Sequence, residues 1–178
     1  MKDLKKSCYW SFIAVAFIWI VHVVGWILPF NIQVLGIHPH ELIGLVGIFF
    51  APFIHASLAH LIANSLALFV LLLVAIAYDR NLAIRAILVI MIVGGLGTWI
   101  VGSSNSVHIG ASGVVFGLMG YLLSLGYYQR SPKAIITSIL VFLVYGGALM
   151  SLLIPVAGVS WSGHLFGFIG GIYAAKNK

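Results

Sequence analysis

Long apolar blocks alternate with short polar or glycine- and proline-rich breaks along this chain. Six blocks approach the roughly 20 apolar residues that a membrane-spanning helix needs. The first runs from Cys8 to Leu28 and stops at Pro29. The second, Pro52 to Tyr78, closes at Asp79, Arg80 and Asn81, and the third, Leu82 to Val101, closes at Gly102, Ser103, Ser104 and Asn105. The fourth starts near Ala111 or Ser112 and runs to Tyr128. The fifth, Ala134 to Ile154, is stopped by Pro155, and the sixth, Trp161 to Ala175, is short. Between the first two blocks lies an apolar stretch from Pro29 to Phe50, interrupted by Pro29, Gly36, Pro39, Gly44 and Gly47. It is too broken to span and too apolar for an aqueous loop. A hairpin-like insertion lying partly in the outer leaflet against the bundle is expected.

Composition leaves little alternative to a bilayer. The 178 residues are 62% hydrophobic and 7% charged, with mean hydropathy +1.17, against about 25% charged residues in a soluble domain. A soluble fold of this size cannot bury so much apolar surface. The expectation is an all-α membrane protein, one compact domain over residues 1–178 with six transmembrane helices.

Charge then sets the orientation. The net charge of +6 does not point to nucleic acid, because the cations form small clusters at block ends rather than a stripe. Lys2, Lys5 and Lys6 precede the first block; Arg80 and Arg85 lie at the second turn; Arg130 and Lys133 lie at the fourth; Lys176 and Lys178 follow the sixth. The other three connections hold no Lys or Arg. Lys and Arg mark cytoplasmic ends, so both termini are expected in the cytoplasm, with Trp26, Trp99 and Trp161 near the outer surface. The first block lacks a small-x-small cleavage site and reads as a retained helix rather than a signal peptide. A single cysteine, Cys8, excludes an internal disulfide and a multi-cysteine metal site. His38 and His40 with Glu41 make a weak metal case, and no metal or cofactor is expected.

This topology brings four polar residues to one depth. Blocks two, four and six all run from outside to inside, so their first residues lie near the outer face. Those residues include His60 and Asn64, then Ser112, then His164. His60 and Asn64 are four apart and share a helix face. Glycines at offsets of four and seven, Gly113, Gly117 and Gly120 in block four and Gly163, Gly167 and Gly170 in block six, let two helices approach closely in lipid. If these stripes face each other, Ser112 and His164 come within reach, as a Ser–His pair requires.

Taken one by one, these features have blander readings. A serine opening a helix is usually an N-cap. Polar residues within spans also bind neighbouring helices. His22 is expected to make a buried hydrogen bond, His55 to tie down the outer insertion, and His108 to sit at a cavity rim. That cavity is expected to be wet and lined by the four site residues together with Ser103 to Ser106.

Together the motifs resemble the rhomboid family of intramembrane serine proteases. That family carries His-x-x-x-Asn on its second core helix, Gly-x-Ser-Gly opening the fourth, and His-x-x-Gly-x-x-x-Gly on the sixth. Here they stand as His60 to Asn64, Gly110-Ala111-Ser112-Gly113, and His164 to Gly171. The match covers nearly the whole chain. It implies a bacterial inner-membrane protease whose substrates are transmembrane segments of other proteins, cut near the outer face. It implies Ser112 as nucleophile and His164 as general base, with an oxyanion hole from His60, Asn64 and the Ser112 backbone amide. Phe116 stands where an aromatic packs under the imidazole, and Gly110, Gly113, Gly163 and Gly167 support the site. The family's frequent Trp-Arg pair in the first outer loop is missing, and Ala51 replaces a histidine found in some members. The only acids are Asp3, Glu41 and Asp79, so a dyad is expected rather than a triad. Two other classes remain: a catalytically silent relative that binds membrane clients, and a channel or transporter, which would call for intramembrane acids or an inverted repeat that the chain lacks. No feature bears on oligomeric state.

Overall fold

The computed structural model describes residues 2–153 and 159–177; Ile154 and Pro155, the expected end of the fifth span, lie outside them. Among the described residues there are seven α-helices: α1 (Lys2–Ile27), α2 (Gly44–Phe50), α3 (Leu58–Tyr78), α4 (Arg80–Val101), α5 (Ser112–Gln129), α6 (Pro132–Tyr145) and α7 (Trp161–Lys176). Six correspond to the expected spans, and α2 belongs to the insertion. Four stretches are long and apolar enough to cross a membrane alone: Leu4–Ile27, Leu58–Tyr78, Arg80–Val101 and Pro132–Leu152. α5 and α7 are not among them. α5 buries ten of its residues against other helices, so protein rather than lipid surrounds it, and its composition need not satisfy lipid. The structure thus supports an all-α membrane bundle, with α5 at its centre, without itself establishing six crossings.

Two boundaries differ from the sequence reading. α1 begins at Lys2, well before Cys8. α3 begins at Leu58 rather than Pro52, because Pro52 lies in a short 3-10 turn (Ala51–Phe53) and Ser57 caps the helix by accepting the His60 N–H. Capping recurs through the fold: Asp79 accepts from Leu82 N–H, Ser131 from Ala134 N–H and Ser160 from Gly163 N–H.

The insertion packs on the C-terminal half of α4 through α2. Trp99 donates its indole N–H to the Glu41 carbonyl, while His40 bonds the Ile100 carbonyl and the Ser104 hydroxyl. Antiparallel backbone bonds between Ile37 and His108 join it to the segment leading to Ser112.

The tightest packing is α5 on α7. A Cβ on Gly167 would lie 2.2 Å from the Gly113 carbonyl oxygen, and one on Gly171 would lie 1.9 Å from that of Gly117. Backbone therefore touches backbone, the close approach that small residues permit in lipid. The facing stripe of α7 is Gly163, Gly167 and Gly171; Gly170 turns instead toward Ile90 and Val93 of α4. A step of four keeps a helix residue nearer one line than a step of three when the neighbour runs parallel and close, so Gly171 takes the place expected of Gly170.

Candidate active site

The α5–α7 contact fixes the register of the candidate nucleophile and base. Gly113 meets both Gly163 and Gly167, offsets of 50 and 54. Ser112 and His164 differ by 52, midway between, so they stand level on adjacent parallel helices. The His164 imidazole is buried and stacks on Phe116, with centroids 4.0 Å apart and planes 15° from parallel. Phe116 is one turn below Ser112 on the same face. The ring is thus laid along the face of α5 that carries the serine hydroxyl.

Ser112 is not an N-cap. The cap position is Ala111, which has no side-chain cap bond, and Ser112 is the first helical residue. The first amides of a helix lack intrahelical partners. Ser, Asp, Ser and Ser cap α3, α4, α6 and α7, yet the N-terminus of α5 is left with its amides and its partial positive charge facing the site.

The segment entering α5 is held from two sides. The Gly110 N–H donates to the Ala51 carbonyl (2.9 Å), and the Ala111 N–H donates to His55 Nε2 (3.3 Å). Gly110 adopts φ +112°, and a Cβ there would fall 2.6 Å from the His60 ring. Only glycine meets both demands. His60 therefore sits directly against the turn before Ser112. Asn64 is buried one turn below His60 and donates to the His60 carbonyl (2.9 Å), leaving its second amide N–H for another acceptor. All four expected site residues thus cluster at the start of α5.

Several details depart from expectation. Among the described residues, neither the Ser112 hydroxyl nor a His164 ring nitrogen makes a hydrogen bond, and His164 Nδ1 is buried without a partner. The Asp79 carboxylate caps α4 by accepting the Leu82 N–H. A cavity of about 50 Å³ does open onto Ser112, lined also by Gly110, Gly113, His108, Thr98 and Ser160. Its lining does not include His60, Asn64 or His164, nor Ser103 to Ser106. His55 holds the Ser112 segment rather than the insertion. Burial and the neighbouring His60 push His55 down to about 4, so it is a neutral acceptor at pH 7. His22 is buried but its Nε2 has no partner; its ring leans on Trp26. Among the described residues no metal-ligating group of three or more His, Cys, Asp or Glu occurs.

Sequence reasoning missed Ser160 and understated His108. His108 bridges the Ser106 and Ser160 hydroxyls at 2.8 and 2.6 Å. Ser160 is the cap of α7, so this chain ties the loop before Ser112 to the helix carrying His164. A serine just ahead of Trp161-Ser-Gly is an N-cap signal that could have located it.

Comparison with known proteins identifies the family of the chain. Residues 43–176 match the Rhomboid domain family. The chain is 38% identical over 169 residues to the uncharacterized protein Rv1337 of Mycobacterium tuberculosis, covering 90% of this chain and 70% of that protein. It is 42% identical over 142 residues to the uncharacterized ML1171 of Mycobacterium leprae, covering 74% and 55%. It is 35% identical over 128 residues to YdcA of Bacillus subtilis, provisionally named a rhomboid protease, covering 66% and 59%. No solved structure gives a significant match. The chain belongs to the rhomboid family and is a multi-pass membrane protein.

Proposed function

We propose that this protein is an intramembrane serine endopeptidase that cleaves transmembrane segments of other membrane proteins near the outer face. The observation that carries the reading is the level register of Ser112 and His164, with the imidazole laid on Phe116 beside the uncapped start of α5.

Ser112 attacks the scissile carbonyl while neutral His164 takes its proton, then returns it to the leaving amine. The developing oxyanion is held by the Ser112 amide at the N-terminus of α5 and by His60 and Asn64, where each donor contributes about 3 kcal/mol. A catalytic hydrogen bond missing in the free enzyme often forms only with substrate, so the unbonded Ser112 and His164 fit a resting state. The small cavity on Ser112 has polar walls at His108, Thr98 and Ser160 and supplies room for water. Substrate enters laterally past α6, whose α-helical bonding gives way to a 3-10 stretch at Gly146–Leu152. Both termini lie in the cytoplasm of a bacterial inner membrane, and residues 1–178 act as one domain.

The test uses protein purified in detergent with a model transmembrane substrate. Wild type should cleave it, and Ser112→Ala and His164→Ala should lose roughly three orders of magnitude or more in kcat. Fluorophosphonate labelling should vanish with Ser112→Ala. Undiminished cleavage by Ser112→Ala overturns the reading. A wild type that neither cleaves nor labels, yet retains substrate, would favour the silent client-binding relative. A pure KM effect from His60→Ala or Asn64→Ala would contradict the oxyanion role.

A further inference from the structure

A second cavity, larger than the one on Ser112, adjoins it through Pro52, Met91 and Val114. It holds about 390 Å³ between α1, α3 and α4, beneath Pro52 and Phe53, and its lining is apolar throughout. Trp10, Ile13 and Phe17 line it from α1 yet remain 42%, 40% and 48% exposed. It is therefore a cleft open to the side rather than a sealed void. From Trp10 to Ile18 it follows α1 for about 12 Å at about 1.5 Å per residue, close to half of the roughly 30 Å hydrocarbon core. Its depth is that of one leaflet.

The cleft has a charged end. Lys6 precedes Trp10, Ile13 and Phe17 by four, seven and eleven residues, and Arg80 precedes Ile87 and Met91 by seven and eleven. These spacings put each cation on the helix face that lines the cleft, one turn or more beyond its apolar part. The Arg80 guanidinium sits 5.0 Å from the Trp10 ring centroid, so it stands at the mouth. Among the described residues neither Lys6 nor Arg80 forms an ion pair. The nearby Asp79 carboxylate accepts the Leu82 N–H as a helix cap.

An apolar slot one leaflet deep, with two unpaired cations at its rim, is complementary to one kind of molecule. We propose that this cleft binds an anionic phospholipid from the leaflet at the basic end of the bundle. One acyl chain fills the slot, and Lys6 and Arg80 hold the phosphate. Basic pockets between helices select anionic headgroups in this way. The far end of the slot is walled by Ala111 and Val114, which flank Ser112 and Gly113, so a bound chain buttresses the turn that carries the candidate nucleophile.

Quenching of tryptophan fluorescence by lipids brominated on the acyl chain tests this without reference to proteolysis. The full chain in neutral detergent is titrated with brominated phosphatidylglycerol or brominated phosphatidylcholine, and the Trp10→Phe signal is subtracted to isolate Trp10. The expected result is a preference for the anionic lipid of roughly tenfold or more in half-saturating concentration. Lys6→Gln with Arg80→Gln should remove that preference. Ala14→Phe, or Ile87→Phe if the first misfolds, should fill the slot and remove saturable quenching while leaving unfolding in lipid-free detergent little changed. Equal quenching by both lipids, or a preference that survives the double substitution, means unselective surrounding lipid and overturns the proposal. So does competition by inorganic phosphate at concentrations that leave ionic strength fixed, which would mean a free-anion site.

Discussion

α5 and α6 are neighbours of similar origin, apolar blocks on either side of one basic turn, but they are held in opposite ways. α5 buries ten residues, and its glycines meet the α7 backbone directly. α6 buries only Ala134 and Val141 and presents Phe142, Leu143 and Val144 outward. The ties of α6 concentrate at its basic end. Lys133 donates to the Tyr78 carbonyl, and the Ser138 hydroxyl bonds the Leu122 carbonyl and the Gly126 N–H of α5. Beyond Tyr145 it passes into a 3-10 stretch. One helix is fixed along its length, while the other is tied mainly at its basic end and more loosely beyond it, by partly buried Tyr145, Leu149 and Leu152 and by the Trp161 indole N–H on the Leu152 carbonyl. That is the division expected where chemistry needs fixed geometry and a bulky substrate needs an opening.

Substitutions can break this contrast, and the largest effect belongs to the fixed pair. Gly171→Leu puts a side chain where even a Cβ meets the Gly117 carbonyl at 1.9 Å. Folded protein should be largely lost, read as yield and unfolding temperature, whereas Gly147→Leu at the loose end, where a Cβ meets nothing, should fold normally. Next is Phe116→Leu, which keeps an apolar side chain but removes the face supporting His164. The expectation is about a tenfold fall in kcat with KM little changed; an equal rise in KM would mean the ring serves substrate binding.

Ser138→Ala should cost about 1 kcal/mol in unfolding stability for its lost bonds, and it should raise cleavage of a membrane substrate if α6 motion limits entry. Leu143→Ala, on the outward face, should change stability by no more than about 0.5 kcal/mol. The smallest effect concerns pH. His55 stays neutral in the fold until about pH 4, whereas unfolded it would protonate near its ordinary 6.5. In that window the unfolded chain binds the extra proton, so stability should fall as pH drops from about 6.5 toward 4. His55→Gln, which keeps an acceptor but does not titrate, should flatten part of that decline in a thermal-unfolding series.

Much of this was legible before any coordinates. Apolar blocks gave six helices, because in lipid the backbone must satisfy itself and breaks fall only at polar or cyclic residues. The charge pattern and the three motifs brought Ser112, His164, His60 and Asn64 to one end. Side-chain roles were less legible. His55 is expected at the insertion yet holds the Ser112 turn, and His108 lines the cavity as expected but also bonds the α7 cap. Those partnerships join residues 56 and 52 positions apart, which no local periodicity encodes. The choice of Gly171 over Gly170 depended on helix rotation, which spacing alone does not settle. The start of α3 depended on whether Pro52 or Ser57 nucleates, and the serine cap prevailed.

Along its glycines the α5–α7 seam joins main chain to main chain, and that composition bears on how such a molecule can diversify. Substitutions scattered over outward surfaces leave the seam untouched, so the spacing of residues 112 and 164 is insulated from drift elsewhere. Descendants of this chain can remodel their outward helices without retuning the register of those two residues.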